Sequence, residues 1–271
     1  MGVTAFVRHL GSDMNAVQAA CIRYAFGTAL FLPLYIKLIA RRVYPARMGA
    51  HLARGLVHGI GVMLWFYAMA QIPIAEVTAI GFLAPIFVTV GAAVFLGERL
   101  QLRRITAVGV GFVGALVILR PGVGSMEAGA IAMLVAAPLF AISILIGKQL
   151  SRVESSAGIV AYLSLFVTVV LIGPAIAVWR TPTPDELIWL FATALIATAG
   201  HYTLTHALTF AELSLLQPFT FLQLVWAALI GYFIFAETPD VWTMFGGTII
   251  VGSATYIAHR EAQLRRVGRQ E

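Results

Sequence analysis

The sequence predicts an all-α integral membrane protein, a helical bundle that crosses the bilayer many times. Hydrophobic residues make up 60% of the 271 residues and charged residues only 11%, whereas a soluble domain carries about 25% charged residues. The mean hydropathy is +0.91. Apolar runs follow one another along the chain, and a run of about 18 residues or more is long enough to cross the hydrocarbon as a helix.

Nine transmembrane helices are visible in the apolar pattern. Only helices and closed barrels satisfy the backbone in lipid, and the sequence lacks the period-two alternation of barrel strands. The loops are short, so no soluble domain fits between the spans. The spans run roughly over residues 17–36, 55–70, 77–96, 105–119, 129–146, 158–178, 187–210, 213–235 and 241–257.

Lysine and arginine collect in alternate loops and in the C-terminal tail. By the positive-inside rule these loops face the cytoplasm, so we expect a cytoplasmic C-terminus. The net charge of +6 is explained by these loops, and no basic run interleaved with aromatic residues indicates a nucleic-acid partner. The basic residues on this side are Lys37, Arg41, Arg42, Arg47, Arg54, Arg99, Arg103, Arg104, Lys148, Arg152, Arg260, Arg265, Arg266 and Arg269.

The beginning of the chain leaves two alternatives. With nine helices and a cytoplasmic C-terminus, residue 1 lies outside. The opening GVTAFVRHLGSD resembles the end of a helix whose start lies upstream, which would make ten helices. We favour the ten-helix alternative over a protein with nine.

Two stretches of the chain form an internal repeat. When Glu98 is aligned with Glu237, Phe82 falls on Phe221 and Leu83 on Leu222. The loop charges place the turn ERLQLRR inside the cell and the equivalent turn ETPDVW outside. The repeats therefore have inverted topology, which is typical of secondary transporters.

These residues resemble the EamA-type members of the drug/metabolite transporter superfamily. The likeness rests on the turns Gly97–Glu98–Arg99 and Ala236–Glu237–Thr238, on the glycine-spaced helix after each, and on Arg23 in CIRYAFG. It implies EamA-like repeats at 1–120 and 128–260 with a cytoplasmic tail at 261–271, ten helices and a central solute cavity. The first helix, of which only the end is visible, departs from this pattern.

Polar residues inside the predicted spans are the candidates for solute binding, because ionisable groups there need partners or a wet cavity. Arg23 is expected to bind an anionic group, to pair structurally, or to snorkel to the surface. His58, in GLVHG, shares a helix face with Trp65. Helix packing around the small residues next to His58 is the alternative.

Two further polar groups lie in later spans. His201 and Tyr202 belong to GHYTLTH, in which a histidine could carry a proton or make structural hydrogen bonds. Gln217 and Gln223 form a polar stripe with Trp226 after it, which suits a neutral or zwitterionic solute. Hydrogen bonding between helices is the alternative for this stripe.

No catalytic set, cofactor site or metal-ligand spacing emerges from the sequence. The GVGFVG of 109–114 does not join a strand to a helix, so it is not a dinucleotide loop. We interpret it as helix-packing glycine. An intramembrane enzyme would need clustered acidic or histidine residues at one membrane face, and none is visible.

The sequence therefore predicts a secondary transporter of the bacterial inner membrane. Its solute would be a small polar or amphipathic metabolite, such as an amino acid or a riboflavin-like or S-adenosylmethionine-like compound, moved by alternating access. A membrane subunit that transports nothing alone is the alternative. The sequence does not choose among solutes, between import and export, between proton coupling and facilitated transport, or among oligomeric states.

Overall fold

The computed structural model describes residues 14–96, 102–119 and 127–210, single helical positions at 223 and 226, and residues 229–236 and 240–267. Over these ranges the regular structure is entirely helical, in agreement with the predicted class. A helical stretch also covers 229–235. The labelled helices are α1 (Ala16–Leu30), α2 (Leu32–Ala40), α3 (Met48–Gln71), α4 (Ile74–Gly81), α5 (Leu83–Leu96), α6 (Leu102–Leu119), α7 (Ala128–Leu150), α8 (Ser156–Ala177), α9 (Pro184–Phe210) and α10 (Val241–Val267).

Side-chain caps fix where several helices begin, because the first backbone N–H groups of a helix have no partner within it. Asn15 accepts from the N–H of Val17 at the start of α1, at 3.0 Å. At the start of α9, Thr183 and Glu186 form a reciprocal capping box, and Pro184 occupies the first helical position, where its missing N–H costs nothing.

Two of the predicted spans are not continuous helices. The first, 17–36, is divided between α1 and α2, whose axes differ by 52°. The third, 77–96, is divided between α4 and α5 at Phe82. Each break lies two to three residues before a proline, Pro33 or Pro85, because the proline ring displaces the carbonyl one turn earlier and offers it no N–H.

Four described helices are long and apolar enough to cross a membrane, or five if the bent pair of α1 and α2 counts as one span. The four straight spans are Met48–Gln71, Ala128–Leu150, Ser156–Ala177 and Pro184–Ala207. Shorter apolar helical segments cover Glu76–Val88, Gly109–Ile118 and Val241–Ser253. The count of nine or ten transmembrane helices therefore stays a prediction.

The chain forms two compact units. The first unit contains Gln71–Ala141 and Ala211–Glu271, and the second contains Gly2–Ala70 and Ile142–Phe210. Each unit thus combines one segment from the first half of the chain with one from the second half. Helix α7 contributes residues to both units, with the division after Ala141.

Glycines allow close helix contacts within the first unit. A Cβ on Gly114 of α6 would lie 2.8 Å from the carbonyl oxygen of Gly246 on α10. A Cβ on Gly111 would collide with the Ile86 side chain of α5. The predicted packing role of the 109–114 glycines is confirmed at these two positions, whereas Gly109 faces open space.

The second unit uses glycine in the same way around α3. A Cβ on Gly55 would collide with Phe166 of α8, and one on Gly59 would lie 3.1 Å from Val170 on the same helix. These glycines flank His58, so the expected close approach of helices beside this histidine is confirmed. The contact brings the polar residues of α3 into the interior of the second unit.

Candidate functional site

His58 makes hydrogen bonds to two other helices of the second unit. Its Nε2 atom lies 2.9 Å from the hydroxyl of Tyr24 on α1, and its Nδ1 atom lies 3.0 Å from the hydroxyl of Ser143 on α7. The side chain is buried. Because a hydroxyl can both donate and accept, these partners satisfy the neutral imidazole in either tautomer.

Arg54 lies one helical turn before His58 on the same face of α3. Its Nε donates to the backbone carbonyl of Ser143 at 3.1 Å. Gly147, one turn after Ser143 on α7, makes room for the guanidinium, because a Cβ there would lie 2.9 Å from the Arg54 Cζ. Arg54 and His58 of α3 therefore face Ser143 and Gly147 of α7.

Arg23 and His201 complete this group of side chains. The Arg23 guanidinium carbon lies 3.8 Å from the centre of the Tyr24 ring, and Arg23 is only 5% exposed. The His201 ring on α9 meets the His58 ring edge to face, with 5.7 Å between centroids. Residues from α1, α3, α7 and α9 thus form what we call the polar cluster: Arg23, Tyr24, Arg54, His58, Ser143 and His201.

Placing the polar cluster within apolar spans costs free energy. An arginine at the centre of a membrane helix costs at least about 2.5 kcal/mol on insertion scales, and buried polar groups must be hydrogen-bonded to avoid a further loss. Yet the Nε of Arg23 and the Nη1 of Arg54 are buried without a hydrogen-bond partner among the described residues. The cluster therefore offers donors for a ligand rich in acceptors.

The other predicted site residues of the second unit lie outside these hydrogen bonds. Trp65 on α3 packs edge to face on its neighbour Phe66, with 5.3 Å between ring centroids. Tyr202 on α9 is 41% exposed and stacks on His206, with 5.8 Å between ring centroids. The solute-binding role of Trp65 and Tyr202 stays a prediction.

The predicted polar stripe belongs to the first unit. Gln223 and Trp226 are helical and exposed, and Trp226 has a relative exposure of 55%. Gln217 lies outside the described residues. The assignment of this stripe to the solute site also stays a prediction.

Sequence reasoning missed three members of the polar cluster. Tyr24 and Ser143 are common residues in spans, and nothing in their spacing marks them. Arg54 was assigned to the basic residues flanking a cytoplasmic loop, but it is buried beneath α7. Its position four residues before His58 is the signal that could have found it, since such residues share a helix face.

A histidine–carboxylate hydrogen bond and an ion pair lie elsewhere in the second unit. The Nε2 of the buried His51 lies 2.7 Å from a carboxylate oxygen of Glu154, which ties α3 to the connection between α7 and α8. Arg180 pairs with Glu186 through both guanidinium Nη atoms. Gln18 on α1 exchanges two hydrogen bonds with the Arg180 backbone, at 2.5 and 3.1 Å.

Histidine, cysteine, aspartate and glutamate do not gather in groups of three or more that could hold a metal ion within the described part of the chain. The polar cluster offers hydrogen-bond donors and acceptors, aromatic faces and two cations. Such a set suits recognition of a polar solute.

Apolar helices of spanning length around a buried polar cluster define a multi-pass membrane protein. The chain belongs to the EamA-like transporter family, whose model matches residues 2–120 and 127–258. The resemblance drawn from the turn and glycine patterns is confirmed.

Several curated transporters are similar to the chain over nearly its full length. The S-adenosylmethionine uptake transporter of Rickettsia bellii is 29% identical over 94% of this chain and 87% of the relative. The riboflavin transporter of Rhizobium johnstonii is 30% identical over 93% and 83%. The pseudopaline exporter CntI of Pseudomonas aeruginosa is 28% identical over 92% and 88%.

A solved structure described as the crystal structure of a protein is similar to this one, with a TM-score of 0.64. It is 17% identical in sequence and is matched over 95% of this chain and 96% of that chain. At this identity the likeness shows that the fold is shared.

Proposed function

We propose that this protein is a secondary transporter that moves a small polar or amphipathic metabolite across the bacterial inner membrane by alternating access. Membership of the EamA-like transporter family supports the transport function. The similar proteins named above are all transporters of small metabolites, and they include both uptake and export. The direction of transport is therefore not part of the proposal.

The single observation that carries the proposal is the polar cluster. Four helices of apolar composition converge on two arginines and two histidines. If the cluster served only to join helices, buried donors without acceptors would not be expected, because each such donor carries a desolvation penalty. A solute that accepts hydrogen bonds while it is bound gives these donors a function.

Alternating access is supported by the arrangement of the chain. We propose inverted repeats at 1–120 and 128–260, followed by a cytoplasmic tail at 261–271. The second compact unit takes one segment from each proposed repeat, and the first unit takes 71–120 from the first repeat together with 128–141 and 211–260 from the second. This division is expected if segments of the two repeats assemble with each other. Pseudo-symmetric repeats of this kind allow rigid-body rocking between inward and outward states.

The proposed solutes are those that combine polar groups with an aromatic or apolar part. S-adenosylmethionine-like and riboflavin-like compounds, which the relatives' names suggest, both have this character, and amino acids share the polar part. Coupling to protons through a histidine and facilitated movement down a gradient are both compatible with the cluster.

A metabolite profile of cells and medium tests the proposal. We would compare cells with the intact chain, with His58→Ala, with Arg152→Gln and with an empty vector, at equal amounts of membrane protein. Arg152 is exposed after α7, so its variant controls for loss of a positive charge. One compound class should shift with the intact chain and Arg152→Gln only. Identical profiles in all four strains would contradict transport and favour a non-transporting subunit.

A further inference from the structure

We propose that the polar cluster receives a carboxylate group of the transported solute, held by Arg23 and Arg54. This inference rests on the proposed transport function and adds the chemical class of the solute. The polar cluster contains two arginines and no acidic side chain.

The two arginines are both buried, at 5% and 7% exposure, in helices that the sequence and family place in the membrane. Arg23 contacts the neutral ring of Tyr24. Arg54 donates to a neutral backbone carbonyl. Neither interaction supplies a negative charge, and buried charges in proteins are normally paired.

Two of the described carboxylates of the second unit have partners outside the polar cluster. Glu154 pairs with His51, Glu186 pairs with Arg180, and Asp185 is exposed in the first turn of α9. The remaining acidic residue of this unit, Asp13, lies outside the described residues. Among the described acidic residues of the second unit, none forms an ion pair with Arg23 or Arg54.

Two buried guanidinium donors favour an anionic group as their partner. The Nε of Arg23 and the Nη1 of Arg54 are buried N–H groups without an acceptor among the described residues. A guanidinium binds a carboxylate through two parallel hydrogen bonds, which are stronger than bonds to neutral acceptors. Arg54 lies one turn before His58 on α3, and Arg23 is adjacent to Tyr24, whose hydroxyl contacts His58.

The neutral members of the cluster fit the rest of such a solute. The imidazoles of His58 and His201 and the hydroxyls of Tyr24 and Ser143 accept as well as donate hydrogen bonds. An amino-acid-like end of a metabolite, with its carboxylate on the arginines and its other polar atoms on these groups, satisfies this set. S-adenosylmethionine has this end, whereas riboflavin has no carboxylate.

Uptake into proteoliposomes that contain the full chain tests the inference. The probes are radiolabelled S-adenosylmethionine and radiolabelled riboflavin, and the competitors are unlabelled S-adenosylmethionine, its decarboxylated analogue and unlabelled riboflavin. We expect the decarboxylated analogue to compete about tenfold more weakly or worse, since it lacks the partner of a charged hydrogen bond. Arg54→Gln should abolish most of this preference, Arg54→Lys should restore part of it, and Arg152→Gln should keep it.

The outcomes separate the inference from the function on which it rests. Equal competition by the decarboxylated analogue would overturn the carboxylate site, as would uptake of radiolabelled riboflavin without competition by S-adenosylmethionine. Both results would leave transport intact. If neither probe enters the vesicles, the compound found in the metabolite profile decides, and one without an anionic group overturns the inference. If the metabolite profile also shows no shift, both the transport function and the inference are contradicted. Thermal melting of each purified variant shows whether a lost preference reflects misfolding.

Discussion

The hydroxyl of Ser143 and the absence of a Cβ at Gly147 hold the polar cluster in place. Ser143 contacts His58 through its hydroxyl and Arg54 through its carbonyl. Gly147 leaves the volume that the Arg54 guanidinium fills. Because the two residues are one turn apart on α7, small changes on this helix face should alter the site in separable ways.

Ser143→Ala should lower stability and weaken transport together. It leaves the His58 Nδ1 without its hydroxyl partner while the carbonyl that binds Arg54 stays. An unsatisfied buried polar group costs about 1–3 kcal/mol, so we expect a lower melting temperature and slower uptake. Ser143→Cys, which keeps a weak donor, serves as the control. An unchanged melting temperature and rate in Ser143→Ala would contradict the role of this hydrogen bond.

Gly147→Ala should impair solute binding more than it impairs folding. The added Cβ would lie 2.9 Å from the Arg54 Cζ, and a flexible side chain can move away at modest cost. The displaced guanidinium would no longer face the solute. Gly173→Ala is the matched control, since a Cβ there meets nothing within 4 Å. The measurement is the concentration of solute at half-maximal uptake, which should rise in Gly147→Ala only; equal values would count against Arg54 as a binding residue.

At the scale of helices, capping and proline decide where the elements begin and break. The sequence predicted a series of apolar helices, because hydropathy alone marks apolar segments. The apolar pattern does not show where the helices within the spans 17–36 and 77–96 break. Pro138 and Pro174 lie inside unbroken helices, so proline alone does not tell a broken helix from a continuous one. Packing against neighbouring helices decides whether a helix breaks at a proline, and hydropathy carries no information about packing.

The start of α9 offers a stability test of one cap. Glu186 accepts from the N–H of Thr183 and pairs with Arg180, and the Arg180 backbone in turn binds Gln18 of α1. Glu186→Ala removes the Glu186 half of the capping box and the ion pair, while the Thr183 hydroxyl still accepts from the backbone N–H of residue 186, so we expect a loss of about 0.5–2 kcal/mol. Asp185→Ala, one residue earlier and exposed, should cost less. Melting temperatures that fall equally in both variants would contradict the capping role.

At the scale of the whole molecule, the family and the helical membrane class could be predicted from sequence, and part of the site could as well. Arg23, His58 and His201 stood out because ionisable residues are rare in spans. Tyr24, Arg54 and Ser143 did not, because contacts between helices distant in sequence are invisible in one chain. The inverted repeat and the helix count stay predictions.

Alternating access predicts exchange across the membrane. Unlabelled solute inside proteoliposomes should accelerate entry of labelled solute, because a loaded carrier returns through the same two states. A channel shows no such acceleration. Equal initial rates of entry with empty and preloaded vesicles, at matched membrane potential, would argue against a carrier.

Direct binding of the transported compound to the purified protein tests the central claim that the polar cluster is the solute site. The dissociation constant would be measured for the intact chain, Arg23→Gln, His58→Ala and the surface control Arg152→Gln, each first shown to be folded. Our account predicts a dissociation constant about tenfold higher or more in the two cluster variants, which is a loss of about 1.4 kcal/mol or more of binding free energy. The constant of the control should be unchanged. Equal constants in all four proteins would place the solute elsewhere and contradict the account.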